Sequence, residues 1–329
     1  MFAESKEMWA AIICGLVIYK LFRRFMYDDD ILDIEGSDSS ALFSVADRLK
    51  KLYGGKVHVG LRIPDADSAS RQTIDIVLVT KQELAVISVK NFSGILAVHR
   101  DGSWVSEKPG KHKQETHPDP VEEARKQVSI LESYLKQRGV DLPKGYISYK
   151  VILPNPKLCT LPASDFPPEV ITHEQWVQLK PGHKSMFSSW VKSAFGAGKK
   201  DMQEFTQNLD FVLSTAPIWD RLELKGSKYV LGEFLEFKGK QEDIEALSYI
   251  RRSKVGRVTI QKTSMFGLAP SRLQVLYSLR DYRTEGSSTP PELNEVNVRS
   301  STEIVFQPEN ASKVRKFKLS SVTSMLLSA

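Results

Sequence analysis

The run Ile74-Asp75-Ile76-Val77-Leu78-Val79, followed after a polar turn by Ala85-Val86-Ile87-Ser88-Val89-Lys90-Asn91-Phe92-Ser93-Gly94, decides how the first half of this chain folds. Both runs are rich in Val and Ile, which suit a pleated surface, and both are bounded by loop composition. They predict neighbouring strands over residues 73–80 and 84–91. Two side chains break the apolar texture. Asp75 interrupts the first strand and Lys90 ends the second, so a carboxylate and an ammonium are placed to meet over one edge of a sheet. Sites for metal-assisted phosphodiester hydrolysis are built this way; a solvent-facing ion pair at the strand ends fits the same residues.

Outward from these strands the pattern is equally regular. Leu42, Val45, Leu49 and Leu52 recur at helical spacing from Ala41 onward, with Gly54 and Gly55 as the stop. Residues 56–63 and 94–100 read as further strands. Residues 120–138 read as a second helix, with the stripe Val121, Ala124, Val128, Leu131 and Leu135 and an ending at Gly139. A buried strand at 149–153 and a short one at 169–172 follow. Helix, strands, helix, strand argues an α/β fold, most simply one mixed sheet flanked by helices.

The chain has 329 residues, 41% hydrophobic and 26% charged, which excludes a mostly disordered protein and suggests about two domains. Two cysteines, Cys14 and Cys159, cannot build a disulfide framework or a Cys-based zinc site, and they fit a reducing compartment. The net charge of +6 is concentrated late: residues 219–329 carry 18 Lys and Arg against 13 Asp and Glu. That surplus permits an anionic partner without demanding one.

Residues 8–19 are uncharged, and Leu21, Phe22, Phe25, Met26 and Tyr27 extend the apolar character. From Met8 to Tyr27 the stretch reaches the roughly 20 residues of a bilayer-crossing helix if Lys20, Arg23 and Arg24 snorkel to the headgroups. An N-terminal transmembrane anchor is therefore expected over residues 1–37, tether included. An in-plane amphipathic helix or a core helix fits the same run. Lys20, Arg23 and Arg24 after the run outweigh Lys6 before it, which places the bulk of the chain in the cytosol as a single-pass membrane protein.

After a helical connector at 186–218, the texture of residues 219–329 becomes a succession of short strands with one helical insertion at 241–252. This predicts a mostly β, small barrel-like domain. Arg251, Arg252, Lys254, Arg257 and Lys262 form one basic group there, and Lys313, Arg315, Lys316 and Lys318 another. Nucleic acid and anionic lipid both reward clustered cations, but stacking aromatics are sparse nearby; an ordinary protein surface is the third reading.

The residues from Ile74 to Gly94, with the helix carrying Gln127, resemble the nuclease-related domain, NERD, a branch of the restriction-endonuclease-like superfamily. The resemblance covers roughly residues 38–155, within a domain expected over 38–185. The whole chain is similar to plant-type, membrane-anchored proteins with this domain. The resemblance implies a restriction-endonuclease-like mixed sheet and a site of an Asp, then Glu-x-Lys. Asp75 and Lys90 match the Asp and the Lys, but Ser88 stands where the Glu belongs. Gln127 matches a glutamine that some such nucleases place beside the site. In the family two carboxylates and the carbonyl between Glu and Lys hold Mg²⁺, so here Asp75 and the Val89 backbone carbonyl are left as ligands. Lys90 would orient the attacking water or stabilise developing charge.

A neutral hydroxyl at position 88 implies much weaker metal binding. Glu83, Asp47 and Asp38 are candidates to replace the missing acid, yet Asp47 falls off the buried stripe and Asp38 is better suited to capping its helix. His112 and His117, in the segment before the second helix, read as solvent-exposed or structural. Two functions follow. One is a binding or scaffolding module with a vestigial site and no cofactor, docking a protein partner through the C-terminal domain; the other is a Mg-dependent nuclease with an atypical ligand set.

Overall fold

A computed structural model describes residues 38–329 apart from 67, 69, 82, 100–101, 108–113, 161–165, 181–198, 263–271, 281–291, 310 and 329. The expected anchor, His112 and the helical patch at 186–195 lie outside the described residues. Among those described, no helix is long and apolar enough to cross a membrane.

Helix α1 (Asp38–Tyr53) turns Leu42, Val45, Ala46 and Leu49 inward, as its periodicity requires. It ends at Gly54 and Gly55, both at positive φ, and a Cβ on Gly55 would run into the Val79 carbonyl. The chain continues through β1 (Lys56–Pro64), β2 (Arg71–Val79), β3 (Leu84–Val89), β4 (Gly94–Val98), β5 (Trp104–Glu107), β6 (Gln114–His117), α2 (Pro120–Gln137), β7 (Ile147–Ile152), β8 (Leu158–Thr160), β9 (Val170–Ile171), α3 (His173–Gln178) and α4 (Lys199–Ser214).

The expected single sheet is two sheets. One has the order β1-β2-β3-β7-β9, antiparallel as far as β3 and parallel beyond it; the other has the order β6-β5-β4-β8. The chain leaves the first sheet after Lys90, and Gly94, at φ 88°, starts the second. Leu96 and Trp104 of the second sheet then build a core of their own with Val121, Ala124, Leu153, Leu158 and Val170. Strands β5 and β6 carry few apolar residues, which is why alternation did not reveal them.

Helices cover both faces of the first sheet. On one side Ile130, Leu131, Tyr134 and Leu135 of α2 pack with Leu209, Val212 and Leu213 of α4 over β1, β2 and β3. On the other, α1 and Trp176 of α3 pack against Ile76, Leu78, Ala85 and Ile87. Asp119 caps α2, accepting the Val121 N–H at 2.8 Å, and Pro120 sits at the first helical position.

The C-terminal half is an antiparallel sheet curled into a half barrel. It comprises β10 (Asp220–Leu224), β11 (Lys228–Lys238), β12 (Val255–Lys262), β13 (Arg272–Leu279), β14 (Leu293–Arg299), β15 (Glu303–Pro308), β16 (Arg315–Lys318) and β17 (Val322–Leu326), with helix α5 (Gln241–Leu247) after β11. The order is β14-β13-β12-β17-β10-β11-β15-β16. The last strand lies mid-sheet between β12 and β10. Residues Asp38–Ala329 form one compact unit. Leu61 bridges Ile218, and Leu231 of β11 joins the core around α1.

Candidate functional site

Asp75 sits in the middle of β2 with a specified neighbour on each side. The β2–β3 register runs through Ile76↔Ile87, and its continuation brings Asp75 opposite Ser88. The Asp75 Oδ2 accepts the Val89 N–H at 2.7 Å and the Ser88 hydroxyl at 3.4 Å. On the β1 side, Val59↔Ile76 and Leu61↔Ile74 leave Gly60 across from Asp75. Gly60 has φ +68°, its carbonyl accepts the Trp219 N–H at 2.9 Å, and a Cβ there would press on Leu231 at 3.3 Å. The positive φ and the close Leu231 side chain call for glycine here.

Lys90 follows β3, its backbone N–H donating to the Ile152 carbonyl at 3.0 Å. Its ammonium donates to Glu123 Oε2 at 2.8 Å, from the first turn of α2. One turn further along the same helix face, Gln127 is buried and donates to the Thr73 carbonyl at 2.9 Å, with its Oε1 unpartnered among the described residues. Gln127 thus braces β2 from below.

Asp75 and Lys90 open into a cleft of about 620 Å³. Asp38 comes from α1, Arg71 and Thr73 from β2, Glu123 from α2, and Phe92, Ser106, Glu115 and His117 from the second sheet and its approach. Trp219 and Glu309 come from the C-terminal half. His117 lies in a strand instead of a loop: it ends β6, faces the cleft, shares a 2.9 Å hydrogen bond with the Ser106 hydroxyl and stacks on Phe92 at 4.5 Å, contacts that fit the structural reading. Of the acids weighed as replacements, Asp38 alone lines the cleft. Glu83 lies before β3, at the end away from Ser88, and Asp47 faces Arg221 and Tyr229.

The cleft is acidic. Asp38, Asp75, Glu115, Glu123 and Glu309 outnumber the fixed cations Arg71 and Lys90. Burial holds the Asp75 carboxyl above its usual range, against the pull of the Lys90 charge and the Val89 N–H. Burial, then the Asp75 charge, pushes Glu309 up to about 7, against hydrogen bonds from Thr73 and Trp219 and the Arg62 charge. Arg62 is itself fixed, 3.8 Å over the Trp219 ring and 2.7 Å from Glu233. Where these carboxyls are ionised, the cleft disfavours a phosphodiester unless a cation intervenes.

That cation has few ligands to meet. Octahedral Mg²⁺ takes several oxygens, and among the described residues no three His, Cys, Asp or Glu side chains are grouped to hold a metal. The Asp75 carboxylate already accepts two hydrogen bonds, and Ser88 contributes a hydroxyl alone. The donor set does not fit the metal that the nuclease resemblance implies.

The family model for the nuclease-related domain, NERD, matches residues 37–154. The chain carries a nuclease-related domain. No curated protein and no solved structure matches the chain. Within the nuclease-related domain lie β1 to β7, α1 and α2, so Asp75, Ser88, Lys90, Glu123 and Gln127 are all its own, whereas Trp219 and Glu309 reach its cleft from outside.

Three of these contributors escaped the sequence reading. Glu123 was legible in principle, since it lies four residues before Gln127 and shares its helix face. Trp219 and Glu309 carried no local signal. Neither basic group of the C-terminal half lines the cleft of the nuclease-related domain.

Proposed function

We propose that the protein is a membrane-anchored, cytosol-facing binding or scaffolding module whose nuclease-type cleft has lost metal-dependent hydrolysis. The observation that carries this reading is Ser88, fully buried opposite Asp75 at the position of the metal-binding Glu, with its hydroxyl 3.4 Å from the Asp75 carboxylate. The acidic lining of the cleft supports it, because a phosphate backbone has no cation to meet there beyond Arg71 and Lys90. Lys90 and Gln127 are then vestigial as catalytic groups and serve the packing of α2 on the sheet. A restriction-endonuclease-like sheet is supported by the family match and by Asp75 and Lys90 on adjacent strands. The anchor rests on residues 8–27 and the orientation on Lys20, Arg23 and Arg24.

The second reading, a Mg-dependent nuclease with an atypical ligand set, is favoured by one observation: Glu123 and Glu309 line the same cleft as Asp75. Calorimetric titration of the full chain in detergent with Mg²⁺ and Mn²⁺, beside Asp75→Ala and Ser88→Glu, separates the two. Under the first reading the wild type binds neither ion, Ser88→Glu binds, and oligonucleotides stay intact. Wild-type binding and cleavage that vanish in Asp75→Ala and in Lys90→Ala establish the nuclease.

A further inference from the structure

A groove of about 610 Å³ lies between β11 and α5, far from the acidic cleft in chemistry: its walls are Phe234, Leu235, Phe237, Ile244 and Ile250, with Arg251 on the rim. A β-bulge builds it. Pairing between β11 and β15 steps from Phe234↔Phe306 to Glu236↔Val305, so Leu235 is the extra residue. In an unbroken strand residues three apart point to opposite faces, but the bulge brings Phe234 and Phe237 together, their ring centroids 4.9 Å apart. Leu235 itself is left 47% exposed.

The groove floor is held firmly. The Asp220 side chain is fully buried and accepts both the Phe234 N–H and the Arg252 Nε–H at 2.7 Å. Asp220 neutralises Arg252, and the nearby acids are likewise engaged: Glu236 with Lys238 at 3.1 Å, and Glu242 and Asp243 with Arg299 at 2.7 and 3.2 Å. Arg251 is exposed, with its Nε bonded to the Ser248 carbonyl at 3.0 Å and no carboxylate partner among the described residues. Lys254 and Tyr249, 5.9 Å from ammonium to ring, lie outside the groove lining. The charge left unanswered at the rim is therefore positive.

We propose that this groove docks an acidic amphipathic helix of a partner protein, its apolar face on Leu235 and Phe237 and a flanking carboxylate on Arg251. The residues from Phe234 to Phe237 span about 10 Å, the length of roughly two helical turns. Helix-in-groove recognition uses this combination of apolar anchors and flanking charge. The proposal rests on the reading of the protein as a binding module and gives that reading a place and a partner chemistry.

The test is fluorescence anisotropy on the full chain with a labelled synthetic helical peptide bearing Leu and Phe on one face and Asp and Glu elsewhere. Saturable binding is expected, weakened at least tenfold by Leu235→Asp and by Arg251→Glu and unchanged by Lys126→Glu, the same charge reversal on the exposed side of α2. Both groove positions are exposed, and urea denaturation of each variant verifies that it folds. No binding overturns the proposal, as does binding that survives both groove substitutions. Vesicles containing phosphatidylserine that bind through Leu235 and Arg251 while the peptide does not would overturn it in favour of a lipid surface. Groove binding together with metal-dependent cleavage would sustain this proposal and defeat the reading of the cleft as inert.

Discussion

The ammonium of Lys90 lies 2.8 Å from Oε2 of Glu123, tying the end of β3 to the first turn of α2. With side-chain exposures of 24% and 42%, the pair stabilises the fold by no more than about 1 kcal/mol. Its larger effect is on Asp75, which the Glu123 charge raises and the Lys90 charge lowers. Glu123→Gln removes that raising charge while burial, the Lys90 charge and the Val89 N–H stay, and the Asp75 carboxyl is expected to titrate at lower pH than in the wild type. Carboxyl ¹³C NMR follows this directly. An Asp75 resonance titrating at the same pH or higher would count against the arrangement.

A carboxylate at position 88 should be costly without metal. Ser88 is 0% exposed and faces Asp75, so Ser88→Glu buries a second negative charge against the first. The expected loss is about 2–4 kcal/mol of unfolding free energy without divalent cation, partly recovered with millimolar Mn²⁺. Urea denaturation with and without the ion measures both. Indifference of the variant's stability to Mn²⁺ would mean that position 88 does not face a latent metal site.

Glu309 makes stability pH-dependent with a definite sign. Its carboxyl is raised from an ordinary 4.5 to about 7, so between those values the folded chain holds a proton that the unfolded chain has released. Stability therefore falls as pH rises through that window, by up to about 3 kcal/mol from this group. Glu309→Gln, a neutral isostere, should match the wild type near the acid end and exceed it above the folded pKa. Denaturation midpoints at several pH values give the difference curve, and a flat curve would refute the assignment.

Asp220 accepts the Phe234 and Ser328 N–H groups and the Arg252 Nε–H, each at 2.7 Å, with its side chain fully buried. Asp220→Ala strands three donors, one of them charged, and is expected to cost about 3–5 kcal/mol. Chemical denaturation decides; a loss below about 1 kcal/mol would mean that water or local rearrangement replaces the carboxylate.

Much of the first half was legible because its signals are local. Helices α1 and α2 follow from apolar spacing and their stops, and β2 and β3 follow from Val and Ile runs; α1 starts three residues earlier than expected, and the other boundaries fall within two residues. The failures have physical causes. Strands β5 and β6 are short and polar, and their hydrogen bonds come from each other and from β4, which no alternation within Gln114–His117 announces. Strand β17 reads as a short apolar tail until β10 and β12 are seen to flank it. His117 was placed in a loop for the same reason that β6 was missed: its partners, Ser106 and Phe92, lie on other segments.

The sequence by itself determined the pairing of an Asp strand with a Lys strand and the β character of the C-terminal half. These are properties of single segments, set by side-chain chemistry and by periods of two and 3.6 residues. Only the tertiary structure decided that Glu123 takes the Lys90 ammonium, that Trp219 and Glu309 close the cleft from the far end of the chain, and that a bulge at Leu235 turns two phenylalanines to one face. Each depends on where distant strands meet, and strand register and sheet curl are settled by packing across the whole unit, which no local stretch of residues encodes.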